Sequence, residues 1–135
     1  MDNVVNWKKI AIFATALFLA QVLVGFLEGS AATGVGLDEA KQRLVQSTLL
    51  SLLFSSAIFS FMAVRQDYRA FLHACLALLV TLAFTLALGA VLPASFSETP
   101  LILVSLGWLT QAVALVIGTA IGRYLSRRFR TPPGT

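Results

Sequence analysis

The side chains best placed to do chemistry are Glu28, Gln111 and Gln21, because each is polar and lies in, or at the end of, a long apolar stretch. A polar group at membrane depth is energetically expensive and is therefore a functional hypothesis in itself. Gln111 lies near the middle of its stretch, where it either hydrogen-bonds a neighbouring helix, for example at Thr81 or Thr85, or contributes to a solute path. Gln21 lies toward a boundary, where water or lipid headgroups can satisfy its amide.

Glu28 ends the first apolar stretch, but the next nine residues, GSAATGVGL, are also uncharged. If a helix or a re-entrant segment continued through them, Glu28 would be a buried carboxylate able to hold a proton, as proton-coupled transport requires. The alternative is that Glu28 marks the water boundary and that a flexible loop follows it. Three glycines among the nine residues favour the loop, because glycine disfavours a helix.

Small residues recur at intervals of four along the apolar stretches. Ser47, Ser51 and Ser55 have this spacing and therefore share one helical face, and Gly118 and Gly122 repeat it near the end of the chain. Small faces let helices approach closely, and packing drives helix association where the lipid is as apolar as leucine. We expect these residues to be packing spacers. A hydrated path is the alternative for the serines. Some of these small faces could equally contact a second copy of the chain, and Gly118 with Gly122 is the first choice for such a contact.

No constellation for catalysis or cofactor binding accompanies these residues. His73 and Cys75 lie two apart, so on a helix they occupy nearly opposite faces, and the chain has no second histidine or cysteine to complete a metal site. The sequence also lacks a phosphate-binding loop, a paired-carboxylate site and a nucleophile–base arrangement. The basic C-terminal segment has few aromatic residues to stack on bases, so it indicates membrane topology rather than nucleic-acid binding. We therefore expect no enzyme activity, no metal, no cofactor and no nucleic-acid partner.

Composition and segment length indicate a membrane protein. The chain has 135 residues, of which 58% are hydrophobic and 12% are charged, and its mean hydropathy is +0.86; a soluble domain has about 25% charged residues. Four apolar stretches without a formal charge stand out, at residues 10–27, 44–64, 70–92 and 101–122. As helices they would span roughly 27 to 35 Å, close to the hydrocarbon thickness of a bilayer. The sequence predicts an all-α bundle of four transmembrane helices, forming one domain over residues 1–130, with a disordered tail at 131–135.

Lysine and arginine are distributed unequally between the two ends of these helices. Eight of them fall with the chain termini and the second connection, and two fall on the opposite side. The positive-inside rule then places both termini in the cytoplasm. The short connections and compact size favour a bacterial inner membrane. The first stretch could alternatively be a signal peptide cleaved after Ala32, although its 18 apolar residues exceed the usual length of about 7 to 15.

The function expected from these features is interaction through helix contacts, as an accessory, assembly, regulatory or immunity-type subunit. Its partners would be the lipid bilayer and another membrane protein, or a second copy of the chain. One alternative is a small oligomeric transporter or channel that uses Glu28 and Gln111. A second alternative is a phage-type, holin-like protein that forms holes in the membrane.

Overall fold

The computed structural model of the protein consists of four long α-helices in the part of the chain that it describes. The described residues are 6–31, 36–65, 69–91 and 101–129. The helices are α1 (Trp7–Ala31), α2 (Leu37–Arg65), α3 (Ala70–Val91) and α4 (Leu101–Phe129). The predicted disordered tail at 131–135 lies outside the described residues.

Three helices extend beyond the apolar stretches that predict them. α1 begins at Trp7 rather than at residue 10, α2 begins at Leu37 rather than at 44, and α4 continues to Phe129 rather than ending at 122. The sequence-based bounds are wrong at these ends because they stop at charges, whereas backbone hydrogen bonding continues past charged side chains. Asp38 and Glu39 lie in the first turn of α2, where the positive end of the helix dipole favours them.

Each of the four helices is long and apolar enough to cross a membrane. Their lengths of 22 to 29 residues correspond to about 33 to 44 Å, which exceeds a hydrocarbon core of about 30 Å. Large apolar side chains, such as Phe26, Leu53 and Ile102, are exposed on every helix. Soluble monomers rarely expose apolar surface on this scale. The fold therefore suggests a membrane protein.

Helices α1 and α3 run parallel to each other in a constant register. The backbone N–H of Asn6 donates to Nε2 of His73 at 3.3 Å, and the Thr81 hydroxyl donates to the carbonyl oxygen of Ala14 at 3.2 Å. In both pairs the residues are 67 positions apart in the sequence. Because the sequence separation is the same in both pairs, the two helices run in the same direction with the same register along this length.

Helices α2 and α4 also run parallel, and they form the most extensive interface of the bundle. Two glycines of α4 lie directly against α2. A Cβ atom added at Gly118 would lie 2.5 Å from the carbonyl oxygen of Ser56, and one added at Gly122 would lie 2.6 Å from Cβ of Ala63. Real Cβ atoms essentially never come this close to their neighbours. Glycine is therefore the residue that permits this approach of the two helices.

Consecutive helices run in opposite directions, so each end of the bundle contains one end of every helix. We call the end with Trp7, Arg65, Ala70 and Phe129 the basic end, and the end with Ala31, Leu37, Val91 and Leu101 the open end. The described lysines and arginines of the basic end are Lys8, Lys9, Arg65, Arg69, Arg123, Arg127 and Arg128.

The buried core lies between the basic end and the middle of the bundle. Its members come from all four helices: Ile10, Ala14, Leu17, Phe59, Met62, Ala74, Ala77, Ala114 and Leu115. Toward the open end, by contrast, residues 83–91 of α3 and 102–109 of α4 are all exposed. All four helices are therefore closely packed in one half, whereas the ends of α3 and α4 toward the open end remain exposed.

Candidate functional site

A cavity of about 970 Å³ opens between the helices in the half of the bundle near the open end. All four helices contribute to its wall, which is mainly apolar. Its size falls within the roughly 300 to 1,000 Å³ typical of small-molecule sites, which also combine apolar walls with a few polar groups. The polar residues of the wall are Gln21, Ser47, Thr48, Ser51, Thr81, Thr85, Ser105, Thr110 and Gln111.

Gln111 is the most deeply buried amide of the described residues, with 7% of its surface exposed. Its Nε2 donates to Oγ of Ser51 on α2 at 3.2 Å. Its Oε1 is buried and has no hydrogen-bond partner among the described residues. The expected partners of Gln111, Thr81 and Thr85, are wrong, because α4 packs mainly against α2 and contacts α3 only slightly.

The serine face of α2 passes from the core into the cavity wall. Ser55 is buried within the packed half, whereas Ser47 and Ser51 line the cavity. The hydroxyl of Ser47 donates to the carbonyl oxygen of Leu44 at 3.0 Å, so its proton is used within its own helix. The serine face of α2 therefore spaces the helices at Ser55 and forms part of the polar wall of the cavity at Ser47 and Ser51.

The hydroxyl groups of the cavity threonines also donate hydrogen bonds to backbone carbonyl oxygens. Thr48 donates to Leu44 at 2.7 Å, Thr85 to Thr81 at 2.9 Å, and Thr110 to Leu106 at 2.8 Å. A hydroxyl has one proton and two lone pairs, so each of these oxygens retains the capacity to accept. Each of these threonines therefore offers the cavity an acceptor rather than a donor.

Gly118 and Gly122 do not line the cavity, because α2 of the same chain covers them. Both glycines are buried. The first-choice expectation that this pair contacts a second copy of the chain is therefore wrong. The physical reason is that α2 offers a matching small surface at this level, formed by Ser56, Ser60 and Ala63.

Gln21 and Glu28 lie on α1 near the open end. Gln21 is half-buried and forms part of the cavity wall, together with Gly25 one turn further along. The backbone of α1 remains helical through Glu28 to Ala31, so the predicted loop directly after Glu28 is wrong. One of the glycines counted against the helix, Gly29, lies inside this last turn. The side chain of Glu28 lies outside the described residues.

His73 lies at the basic end, away from the cavity, and links α3 to the start of α1. It is buried, and its Nδ1 lies 3.1 Å from the carbonyl oxygen of Arg69 while its Nε2 accepts from Asn6. The Asn6 side chain in turn accepts from the backbone N–H of Lys9 at 3.1 Å, which is the geometry of a helix N-cap. The structure shows a buried link between two helices, which sequence spacing alone does not reveal.

The described residues contain no cluster of three or more histidine, cysteine, aspartate or glutamate side chains that could hold a metal ion. Cys75 is a half-buried free thiol. The cavity therefore offers hydrogen bonding and apolar contact as its chemistry.

Comparisons with protein-family models, with curated proteins and with solved structures gave no match. The class defined by the fold and the site is a four-helix protein, with helices able to span a membrane and an internal cavity open toward one end.

Proposed function

We propose that this chain is an integral membrane protein that acts by contacting other membrane components through its helices, rather than by catalysis. It spans the bilayer four times, with both termini in the cytoplasm of a bacterium and the open end toward the outside. The charges support this orientation, because the described lysines and arginines gather mainly at one end of the bundle. Tagging each terminus and testing its accessibility from outside intact cells checks it: both tags should be protected, and one exposed tag would contradict it.

The observation that carries the interaction function is the set of glycines near the open end. A Cβ added at Gly25, Gly89 or Gly107 would have nothing within 4 Å. Glycine lowers helix stability by up to about 1 kcal/mol relative to alanine. At Gly118 and Gly122 the close approach of α2 offsets this loss, but among the described residues nothing offsets it at the three open positions. A helix of a partner protein, packed against the rim of the cavity, would do so.

The proposed contact can be tested by placing a photo-crosslinking residue at Gly89, on the exposed end of α3. A control with the same residue at Leu53 reports ordinary exposure to lipid, because Leu53 is 65% exposed and lies in the middle of α2. We expect a discrete protein adduct from position 89 in native membranes, identifiable by mass spectrometry, and lipid adducts alone from position 53.

A second variant shows whether the adduct reflects a specific contact. Gly89→Leu places a large side chain in the open space. Apart from the adjoining backbone, no described atom lies within 4 Å of the new Cβ, so the protein itself should remain folded. The identified partner should then no longer co-purify with the variant. Lipid adducts alone at both positions, or full partner recovery with Gly89→Leu, would refute the proposed contact.

Transport is the second candidate, and the observation that favours it is the cavity, whose mainly apolar wall carries polar side chains from all four helices. The packed core closes the cavity toward the basic end, so movement of a solute through one chain requires a second conformation. Solute flux into liposomes containing the pure protein, measured for the wild type, Glu28→Gln and Gln111→Met, separates the two functions. Flux that depends on these residues would support transport, and its absence would favour the interaction function.

A further inference from the structure

We propose that the cavity binds an uncharged amphiphile whose polar end is a hydroxyl group, that is, a lipophilic alcohol. This inference is independent of the helix contact proposed above, because it rests on Gln111 in the cavity wall, whereas the contact is tested at Gly89, which does not line the cavity. Either proposal can fail while the other stands.

The unpaired oxygen of Gln111 is the first observation behind the ligand. Its side chain is more than nine-tenths buried, it lines the cavity, and its Oε1 has no partner among the described residues. A buried polar atom without a hydrogen bond is destabilising. The Gln111 oxygen has almost no exposed surface, so a donor in the cavity reaches it when the amide turns. The terminal torsion of a glutamine is soft, so the amide can tilt toward a ligand without changing the rotamer above it.

The threonines of the wall favour a donor on the ligand. The hydroxyls of Thr48, Thr85 and Thr110 each donate to a carbonyl of their own helix, so each can offer a ligand a lone pair. Gln21 adds an amide with both donor and acceptor atoms at the wall. A ligand hydroxyl can donate to Gln111 and accept from Gln21, whereas an ether or ketone could only accept.

The absence of charge in the wall selects for a neutral ligand. None of the described wall residues is aspartate, glutamate, lysine or arginine. A carboxylate or ammonium group would therefore enter without a counter-ion, which is strongly unfavourable away from water. The remaining wall is apolar and matches the hydrocarbon part of an amphiphile.

Trp108 lines the cavity and provides a direct signal of occupancy. The chain has two tryptophans, and the other, Trp7, lies at the basic end, so Trp7→Phe leaves Trp108 as the sole emitter. The protein in this background is reconstituted into phosphatidylcholine vesicles and titrated with a terminally brominated long-chain alcohol, whose bromine quenches tryptophan on contact. The matched probe is the methyl ether of the same compound, which lacks the donor.

We expect the alcohol to quench Trp108 with an affinity about three- to tenfold higher than the ether, which is the difference that one hydrogen bond produces. Gln111→Met should reduce this ratio to about one while leaving the affinity for the ether unchanged, which also shows that the cavity is intact. The control is Thr119→Val, because Thr119 is buried but absent from the cavity wall; its ratio should match that of the wild type.

Equal quenching by alcohol and ether in the wild type would overturn the proposal, because the cavity would then hold lipid chains or water without selecting a donor. A ratio unchanged by Gln111→Met would overturn it as well. If Gln111→Met loses the ether too, Thr85→Val replaces it as the test variant, since Thr85 is exposed at the wall. A ratio unchanged by Thr85→Val would then count against the wall threonines as acceptors.

Discussion

Glycine has opposite roles at the two ends of this bundle. Toward the basic end, Gly118 and Gly122 lie so close to α2 that no side chain fits between the helices. Toward the open end, Gly25, Gly89 and Gly107 contact nothing within reach of a Cβ. The same residue type therefore marks a completed helix interface in one half and an unfilled surface in the other. The spacing of glycines in a membrane helix shows where another helix can approach closely. The structure shows whether that other helix belongs to the same chain.

The largest effect is expected at the packed glycines. Gly118→Ala places a methyl group 2.5 Å from the backbone oxygen of Ser56, and a backbone atom cannot swing away as a side-chain tip can. Overpacking of this kind destabilises by about 1 to 3 kcal/mol. Unfolding titrations in mixed detergent micelles measure the change, and Gly122→Ala should behave similarly. Wild-type stability in both variants would contradict the close approach of α2 and α4.

The open glycines should respond in the opposite direction. Gly89→Ala and Gly107→Ala introduce methyl groups into empty space and remove the low helix propensity of glycine. We expect the isolated protein to become more stable by up to about 1 kcal/mol in the same titrations. Destabilisation at either position would mean that the open end is packed within the chain.

The smallest effect is expected for the hydrogen bond between Gln111 and Ser51. A double-mutant cycle with Gln111→Met and Ser51→Ala should give a coupling energy of about 0.6 kcal/mol, the average for such bonds between membrane helices. A parallel cycle of Gln111→Met with Thr119→Val supplies the control, because Thr119 donates to carbonyls of its own helix and does not contact Gln111. Equal coupling in both cycles would show that the 3.2 Å contact contributes nothing specific.

The sequence predicts the number and type of the helices well, because uncharged stretches of bilayer length leave few alternatives. It also identifies Gly118, Gly122 and the serine face of α2 as small surfaces. It does not show which helix each surface contacts, because every helix carries such a surface. Gln111 illustrates the consequence. Its depth in the membrane suggests Thr81 and Thr85 as hydrogen-bond partners, but the parallel packing of α2 and α4 places Ser51 next to it instead.

The cavity could not be predicted from the sequence for the same reason. Ala77, Thr81, Thr85 and Gly89 form one uninterrupted small face of α3, yet the face is buried at Ala77 and Thr81 and exposed at Thr85 and Gly89. The change from packed to open depends on how far the neighbouring helices diverge. That divergence is a property of the whole bundle and leaves no signature in the spacing of the residues.

This face of α3 provides the most direct test of the difference between the two halves. In a Cys75→Ala background, single cysteines are placed at Ala77 and at Thr85, two turns apart on one surface, and their modification by a small lipid-permeable thiol reagent is timed in reconstituted vesicles. We expect the cysteine at position 85 to react readily and the one at position 77 to remain protected, because Ala77 is fully buried and Thr85 is exposed at the cavity. Similar rates at both positions would contradict a bundle that is closed at its basic end and open at the other.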